Sequence, residues 1–460
     1  MSSKLAWTRP SPQETCQEQR QCRDPHKATR TEIPDQRCIG IVFSGVGEVT
    51  RPTFSRPRTG GMGMQAPSRY RLIDLNIQFL LQKLRTCHPS FLTPPWFLTC
   101  GRMTLPGEVQ KWQASQDGLE NLTRSRGPMP KPGKDEVLVE IYTVSLNYRD
   151  TEVAMGTYKH HKSVGEASSI VPCSDMCGVV VEIGEGTNPS PWHIGDRVLS
   201  TFNQTHLTGQ ITPKEMTSGL GLPLDGVLQT YRVFPVTGLV KTPDYLSDEE
   251  ASTLPIAAVT AWMSINGTRP MGSPGGKGET ILLQGTGGVA IAGLQIGHAA
   301  GAETIITSSS DAKLERAKSL GATHTINYRT DPDWQDTVMK ITHDKGVDII
   351  LEAGGAKTLR KSFDCIAFGG LINCIGYLSG KEDEPGDRVN ANVLALRRTV
   401  TLKGILNGPK DRFEEMLQFY GAHKIKPVVD RTFSFEQTKE AFQYLYSGGH
   451  FGKVVVKVKE

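Results

Sequence analysis

The sequence predicts an α/β protein, with an open parallel sheet wound by helices on both faces and joined to a smaller β-rich domain. Three observations carry that reading. Residues 279–328 run as a short apolar segment, a glycine turn, an apolar helix and a second short apolar segment, the order of a β-α-β unit. Apolar runs of strand length recur at 347–352, 371–375 and 400–403 with helical stretches between, which gives roughly six parallel strands. Residues 135–200 hold closely spaced alternating runs and glycine turns, the pattern of a compact β domain.

The β-α-β unit is the most informative stretch. Ile281 to Leu283 has the length of a buried parallel strand. Gly285, Gly287 and Gly288 follow, then Val289 and Ala290, so the turn reads G-x-G-x-x-A. Turns without side chains let backbone N–H groups approach a pyrophosphate, and the helix N-terminus adds partial positive charge. Ile291, Leu294 and Ala299 continue as an apolar helix that Gly301 stops, and Thr304 to Thr307 forms the second strand. A glycine turn set between a strand and a helix on this schedule predicts a Rossmann dinucleotide site.

The end of the second strand selects the cofactor. An NAD site places Asp or Glu there, about 20 residues on, against the ribose 2′-hydroxyl. Here the position falls on Ser308, inside T-S-S-S-D-A-K. Ser308, Ser309 and Lys313 offer hydroxyls and a cation to a 2′-phosphate, with Tyr328 alongside, so NADPH is expected. Asp311 is expected to cap the helix that starts near Ala312.

Composition bounds the rest. At 460 residues the chain accommodates two or three domains. Its net charge of +4 is unevenly spread: residues 1–102 hold 15 Lys+Arg against 7 Asp+Glu, and the remainder 37 against 41. The mildly acidic remainder argues against nucleic-acid binding. No run approaches the roughly 20 apolar residues of a membrane helix. Five of nine cysteines lie in the first 102 residues, and Cys173, Cys177, Cys365 and Cys374 have no disulfide-scaffold spacing; a reducing, cytoplasmic setting is expected.

In chain order, residues 1–102 lack sustained periodicity and are rich in Gln, Arg, Ser, Thr and Pro. They read as a disordered or mispredicted extension, too acidic for a mitochondrial signal and without a secretory apolar core. Residues 103–250 form the β-rich domain, with strands at 135–144, within 172–186 (running into a turn) and from Gly195, and a long loop over 203–225. Ser247, with Glu250 three residues on, is a capping box that starts a helix linking the domains. Residues 251–405 form the dinucleotide domain. Residues 406–460 contain helices over 411–423 and near 435–446 and a last strand, and return to the β-rich domain.

These pieces resemble the medium-chain dehydrogenase/reductase superfamily, in the branch of quinone oxidoreductases and enoyl reductases. The resemblance runs from about Met103 to the end. It rests on S-L-N-Y-R-D, V-V-V-E-I-G-E-G with I-G-D-R-V, L-P-I-A-A-V-T-A-W, G-T-G-G-V, L-E-R-A-K-S-L-G-A, L-E-A-G-G and H-F-G-K-V-V-V. It is especially similar to the zinc-type alcohol dehydrogenase-like members, and implies a GroES-like catalytic domain beside the Rossmann domain. Zinc members bind catalytic metal through Cys, His and Cys; the matching positions here are Asn147, Ser174 (followed by Asp175) and Ile256. An isoleucine cannot ligate, and the structural-zinc cysteines are missing from 203–225, so no metal site is expected.

Without a metal, the expected reaction is NADPH-dependent conjugate reduction of an enone, enoyl compound or quinone, a small-molecule substrate. The resemblance makes Tyr148 the candidate proton donor, with pocket lining as its alternative role. It places Asn147 on the nicotinamide ribose or the substrate oxygen, and Thr260 facing the nicotinamide. Gly376 and Tyr377 match a segment lying along the nicotinamide, and His450 to Lys453, including Phe451, matches the closing strand near the site. Arg149 and Asp150 are expected to pair and brace their loop. Alcohol–ketone interconversion and cofactor binding with little turnover are the competing functions. A homodimer through the edge of the cofactor-domain sheet is implied by the resemblance.

Overall fold

The computed structural model describes residues 105–159, 169–383, 386 and 388–459. The expectations for residues 1–102 lie outside the described residues. An antiparallel pair, β1 (Glu108–Gln113) and β2 (Thr123–Pro128), comes first. The β-rich part follows with β3 (Glu136–Leu146), β4 (Asp175–Ile183), β5 (Arg197–Ser200), β6 (Tyr231–Pro235) and β7 (Leu239–Lys241). The Rossmann part supplies β8 (Thr280–Gln284), β9 (Glu303–Ser308), β10 (His324–Asn327), β11 (Val347–Glu352), β12 (Ile366–Cys374) and β13 (Thr401–Gly404). The chain ends with β14 (Val429–Ser434) and β15 (Lys453–Lys457).

Six strands, β8 to β13, form a parallel sheet in the order β10-β9-β8-β11-β12-β13, the doubly wound order that expectation required. Alternation along the strands splits two cores. Ile281, Leu283, Ile349 and Leu351 pack with Trp262, Ile291 and Leu294 on one face. Leu282, Ile305, Ile350 and Ile372 pack with Trp334, Val338 and Phe363 on the other. Strand β12 begins earlier than its most apolar stretch, because Gly369 and Gly370 continue it without contributing side chains.

The second sheet has seven strands, in the order β14-β15-β3-β4-β5-β7 with β6 also on β3. Its organising strand is β3. Its first half pairs β6, its last residues pair β15, and its other edge carries β4. The tail therefore returns to the β-rich sheet, but only from β14 onward. The helix Lys410–His423 instead puts Phe413, Met416 and Tyr420 into the core shared with Trp262 and Leu283.

A helical run connects the two sheets. Ser247 caps it, with its hydroxyl accepting from Glu250 N–H at 3.1 Å and the Glu250 carboxylate accepting from Ser247 N–H at 3.0 Å. The helix Asp248–Ser252 passes through a wide turn, Leu254–Ala258, into the helix Val259–Asn266. Pro255 lies in that turn, where a missing N–H disturbs the ladder. The next N–H, Ile256, donates to the Asp175 carboxylate at 3.0 Å, across to β4. None of the helices among the described residues is long and apolar enough to cross a membrane.

One expectation at the helix after β9 is corrected. Ser310, not Asp311, is the cap: its hydroxyl accepts from Lys313 N–H, and Asp311 is the first helical residue. The Asp311 carboxylate accepts from Asn327 Nδ2 at 2.7 Å instead. Both residue types cap well, so the choice falls to the backbone, which is extended at Ser310.

Removing the Ser247 cap by Ser247→Ala is expected to cost about 1 kcal/mol. Urea unfolding of the variant should show the midpoint falling with an unchanged slope.

Candidate active site

The site forms where the two sheets meet. The register pairs Val454 of β15 with Leu146 at the end of β3. That pairing sets Lys453 beside Asn147, the cap of the helix Tyr148–Ala154. The Lys453 Nζ donates to Leu146 O at 2.5 Å and to Asn147 Oδ1 at 2.7 Å. An ammonium only donates, so the Asn147 amide must face it with oxygen. Its Nδ2 is buried without a hydrogen bond of ordinary geometry, while the amide still helps hold the Asp175 carboxyl down.

Lys453 is buried, and so are the carboxyls around it. Burial lowers the Lys453 ammonium, and Asp175, Asp150 and Cys173 pull it back up. Burial pushes the Asp150 carboxyl up to about 6, against Arg149, the Asn147 N–H and Lys453. Asp150 accepts from Asn147 N–H at 2.8 Å. Arg149 pairs with Asp150 at 3.4 Å and donates to Leu220 O at 3.1 Å, so this pair braces the loop as expected. Ser174 donates to Asp175 Oδ1 at 2.6 Å. The three positions matched to metal ligands thus hold an amide facing an ammonium, a hydroxyl engaged with a carboxylate, and an aliphatic chain.

The glycine turn stands next to Lys453. Gly285 has φ +79°, and no atom lies within 4 Å of where its Cβ would be, so its surface is open to a ligand. At Gly288 a Cβ would sit 2.5 Å from Lys453 Cδ; this glycine admits the lysine stem. Gly287 pairs with Gly452, and Gly452 N–H donates to Thr286 O at 3.0 Å. Val289 is the second residue of the helix Gly288–Ala299, whose first N–H groups have no partner within the helix. The Thr260 hydroxyl is buried with no partner. An open turn, free helix N–H groups and orphaned buried polar atoms fit a dinucleotide.

The other candidates are spread around this centre. Ser308 ends β9 in a buried position; its hydroxyl accepts from Ser310 N–H, and its carbonyl accepts from Tyr328 N–H at 3.0 Å. Ser309 is half-buried and Tyr328 exposed. The Lys313 Nζ donates to Gly448 O at 3.0 Å and His450 O at 2.9 Å. Phe451 is buried in the core, with Arg316 4.1 Å above its ring. Gly376 follows β12, its N–H donating to Glu352 O at 3.3 Å.

Tyr148 is 40% exposed beside Asn147. Burial of its remainder, Glu152 and Tyr446 raise its phenol above the ordinary value, so it stays protonated at neutral pH. Tyr377 donates to Glu152 Oε2 at 2.7 Å, and Lys381 donates to Glu152 Oε1 at 3.1 Å. This clasp joins the helix carrying Tyr148 to the segment after β12. Glu152 was absent from the expected site, and Lys453 entered it only as the end of the closing strand, without a role of its own. A lone lysine inside the apolar run F-G-K-V-V-V was the available signal for the second; Glu152 had none, since its partners are more than 200 residues away.

A Rossmann sheet meeting a β-rich sheet at such a centre defines a pyridine-nucleotide oxidoreductase. The sequence profile of the alcohol dehydrogenase GroES-like domain matches residues 133–244, and that of the zinc-binding dehydrogenase residues 288–422. A zinc-type alcohol dehydrogenase-like protein of Schizosaccharomyces pombe is 39% identical over 342 residues, 74% of this chain and 96% of that one. A 2-methylene-furan-3-one reductase of Solanum lycopersicum is 28% identical, over 78% and 81%. A crystal structure from Sinorhizobium meliloti 1021, assigned as an alcohol dehydrogenase, aligns at TM-score 0.68 and 36% identity, over 77% of this chain and 100% of that one. The chain belongs to the medium-chain dehydrogenase/reductase superfamily, whose members bind NAD(P).

Lys453→Met should cost roughly 3–5 kcal/mol by leaving buried carboxylates without their cation. The folded value of about 6 for Asp150 lies above its unfolded value of about 3.9. Its contribution to stability is therefore full below the unfolded value and lost as pH rises toward 6. The deficit of Lys453→Met, measured by urea unfolding, should accordingly be smaller at pH 5 than at pH 8.

Proposed function

We propose that this chain is an NADPH-dependent, zinc-independent reductase that delivers hydride to an α,β-unsaturated carbonyl or a quinone. The carrying observation is the Lys453 ammonium on Asn147 Oδ1 at 2.7 Å. A cation already occupies the amide oxygen that would have to turn to a metal, and Ser174 and Ile256 do not complete a zinc set. Polarisation of a substrate carbonyl then falls to hydrogen-bond donors. Conjugate reduction needs least from them, because the anion formed is delocalised over the enolate or hydroquinone.

A bound nicotinamide would supply the hydride. Lys453 fixes the orientation of Asn147, so that its buried Nδ2, on the Asp175 side, is the donor for the ribose or the substrate oxygen. Tyr148, protonated and half-open to the site, is the proton donor to the enolate. Thr260 offers its free hydroxyl to the nicotinamide face, and Gly376 and Tyr377 flank it. The name of the tomato relative, an enone reductase, supports this reading. The alcohol dehydrogenase names of other relatives favour alcohol–ketone interconversion as the second reading.

The absence of a carboxylate at Ser308 supports NADPH over NADH, with Ser309, Lys313 and Tyr328 nearby. A second copy of the chain would suit the β13 edge, where Leu402 of β13 is exposed, as are Phe368 of β12 and Leu396 of the helix before β13. Buried free thiols at Cys173, Cys177 and Cys365 suit a reducing, cytoplasmic setting.

The test is NADPH oxidation with a panel of enones, quinones and simple ketones, with and without chelator. Chelator-resistant turnover of enones or quinones is expected; turnover of simple ketones alone, abolished by chelator, would contradict the proposal. Tyr148→Phe should lower kcat about a hundredfold or more if the phenol is the donor. An unchanged kcat would leave it a pocket wall. Ser308→Asp should shift the NADPH/NADH affinity ratio about tenfold toward NADH, a penalty of about 1.4 kcal/mol on the phosphorylated form; direct binding titrations read it.

A further inference from the structure

We propose that His450 is a ligand of the dinucleotide pyrophosphate, and that cofactor binding draws a proton from solvent onto its imidazole. The inference rests on the dinucleotide site proposed above. His450 Nε2 is the nearest atom to the position a Cβ on Gly287 would take, 3.9 Å away. Gly287 is the turn glycine whose lack of a side chain lets a phosphate come close. The imidazole therefore stands against the path of the pyrophosphate. Its Nδ1 is buried with no partner, a donor or acceptor position left for an incoming group.

The surroundings hold the ring neutral until an anion arrives. Lys313 faces it from the helix Asp311–Ser319 and Lys453 from β15, and Asp430 from β14 is the one acid against them. Asp430 is already engaged, by Arg316 at 3.1 Å and by the Tyr444 hydroxyl at 2.7 Å. Burial and the two lysines push the imidazole down to about 4. A pyrophosphate at the turn adds two negative charges beside a ring flanked by cations, which raises its proton affinity in the complex. Lys313 contributes by position: its hydrogen bonds to the carbonyls of Gly448 and His450 tie down the segment that presents the ring.

The sign follows from linkage. The free protein has the lower His450 value and the complex the higher, so binding strengthens as pH falls through the value in the complex. The gain is at most about tenfold per pH unit for one proton.

Calorimetric titration of the full chain at pH 6.5, in two buffers of different ionisation enthalpy, measures the protons taken up. NADH is the first probe because it lacks the titrating 2′-phosphate, and NADPH the second. Net proton uptake approaching one per bound NADH is expected, and His450→Gln should abolish it. The variant should lose more affinity at pH 6 than at pH 8, and its circular dichroism should match the parent. Unchanged uptake in His450→Gln, or no uptake in the parent, overturns the inference while the dinucleotide site stands. Failure of both nucleotides to bind at any pH overturns the site and the inference together.

Discussion

The site depends on one buried charge. Lys453 carries its ammonium between the end of β3 and the start of the helix Tyr148–Ala154, where it holds Leu146 O and Asn147 Oδ1. Burying an ammonium is costly, and the cost is met by hydrogen bonds and by Asp150 and Asp175 nearby. Its stem fills the space that Gly288 leaves open. One side chain thus couples the last strand, the central strand of the β-rich sheet and the glycine turn of the Rossmann sheet. Moving any of the three would disturb the others.

That coupling shapes the chemistry. A substrate carbonyl at Asn147 would meet an amide whose oxygen is already committed, so only its N–H side is on offer. Tyr148, one residue on, projects toward solvent because the helix begins there. Glu152, one turn further, is held by Tyr377 and Lys381 from the other sheet. The two candidate reacting groups are therefore fixed at both ends, by Lys453 at one and by the clasp at the other. Preorganised donors of this kind do their work without reorganising during the reaction.

Much of the fold was legible because its signals are local. Ile281–Leu283 and Ile349–Leu351 are apolar on both faces, as strands covered by helices must be, and Ser247 with Glu250 marks a helix start within four residues. Strand β14 was not foreseen: Val-Asp-Arg-Thr-Phe-Ser is polar, and the sheet edge it occupies asks little of its side chains. In the site, the glycine turn, Ser308 and Asn147 could be placed from motifs. The H-F-G-K-V-V-V motif places Lys453 and His450 near the site, but their contacts and the Glu152 clasp depend on register between segments roughly 150–300 residues apart, which periodicity does not encode. Lys313 shows the limit most clearly: its type suggests a phosphate ligand, but nothing in its local sequence foretells that its ammonium is held by the carbonyls of Gly448 and His450.

Under the proposed function, hydride goes to the carbon β to a carbonyl, without a metal to activate the carbonyl itself. The most direct measurement uses NADPH deuterated at nicotinamide C4 and an enone, with the product examined by NMR. Deuterium on the β-carbon and a solvent proton on the α-carbon, undiminished by chelator, are expected. Deuterium on the carbonyl carbon, with an allylic alcohol as product, would contradict the proposal.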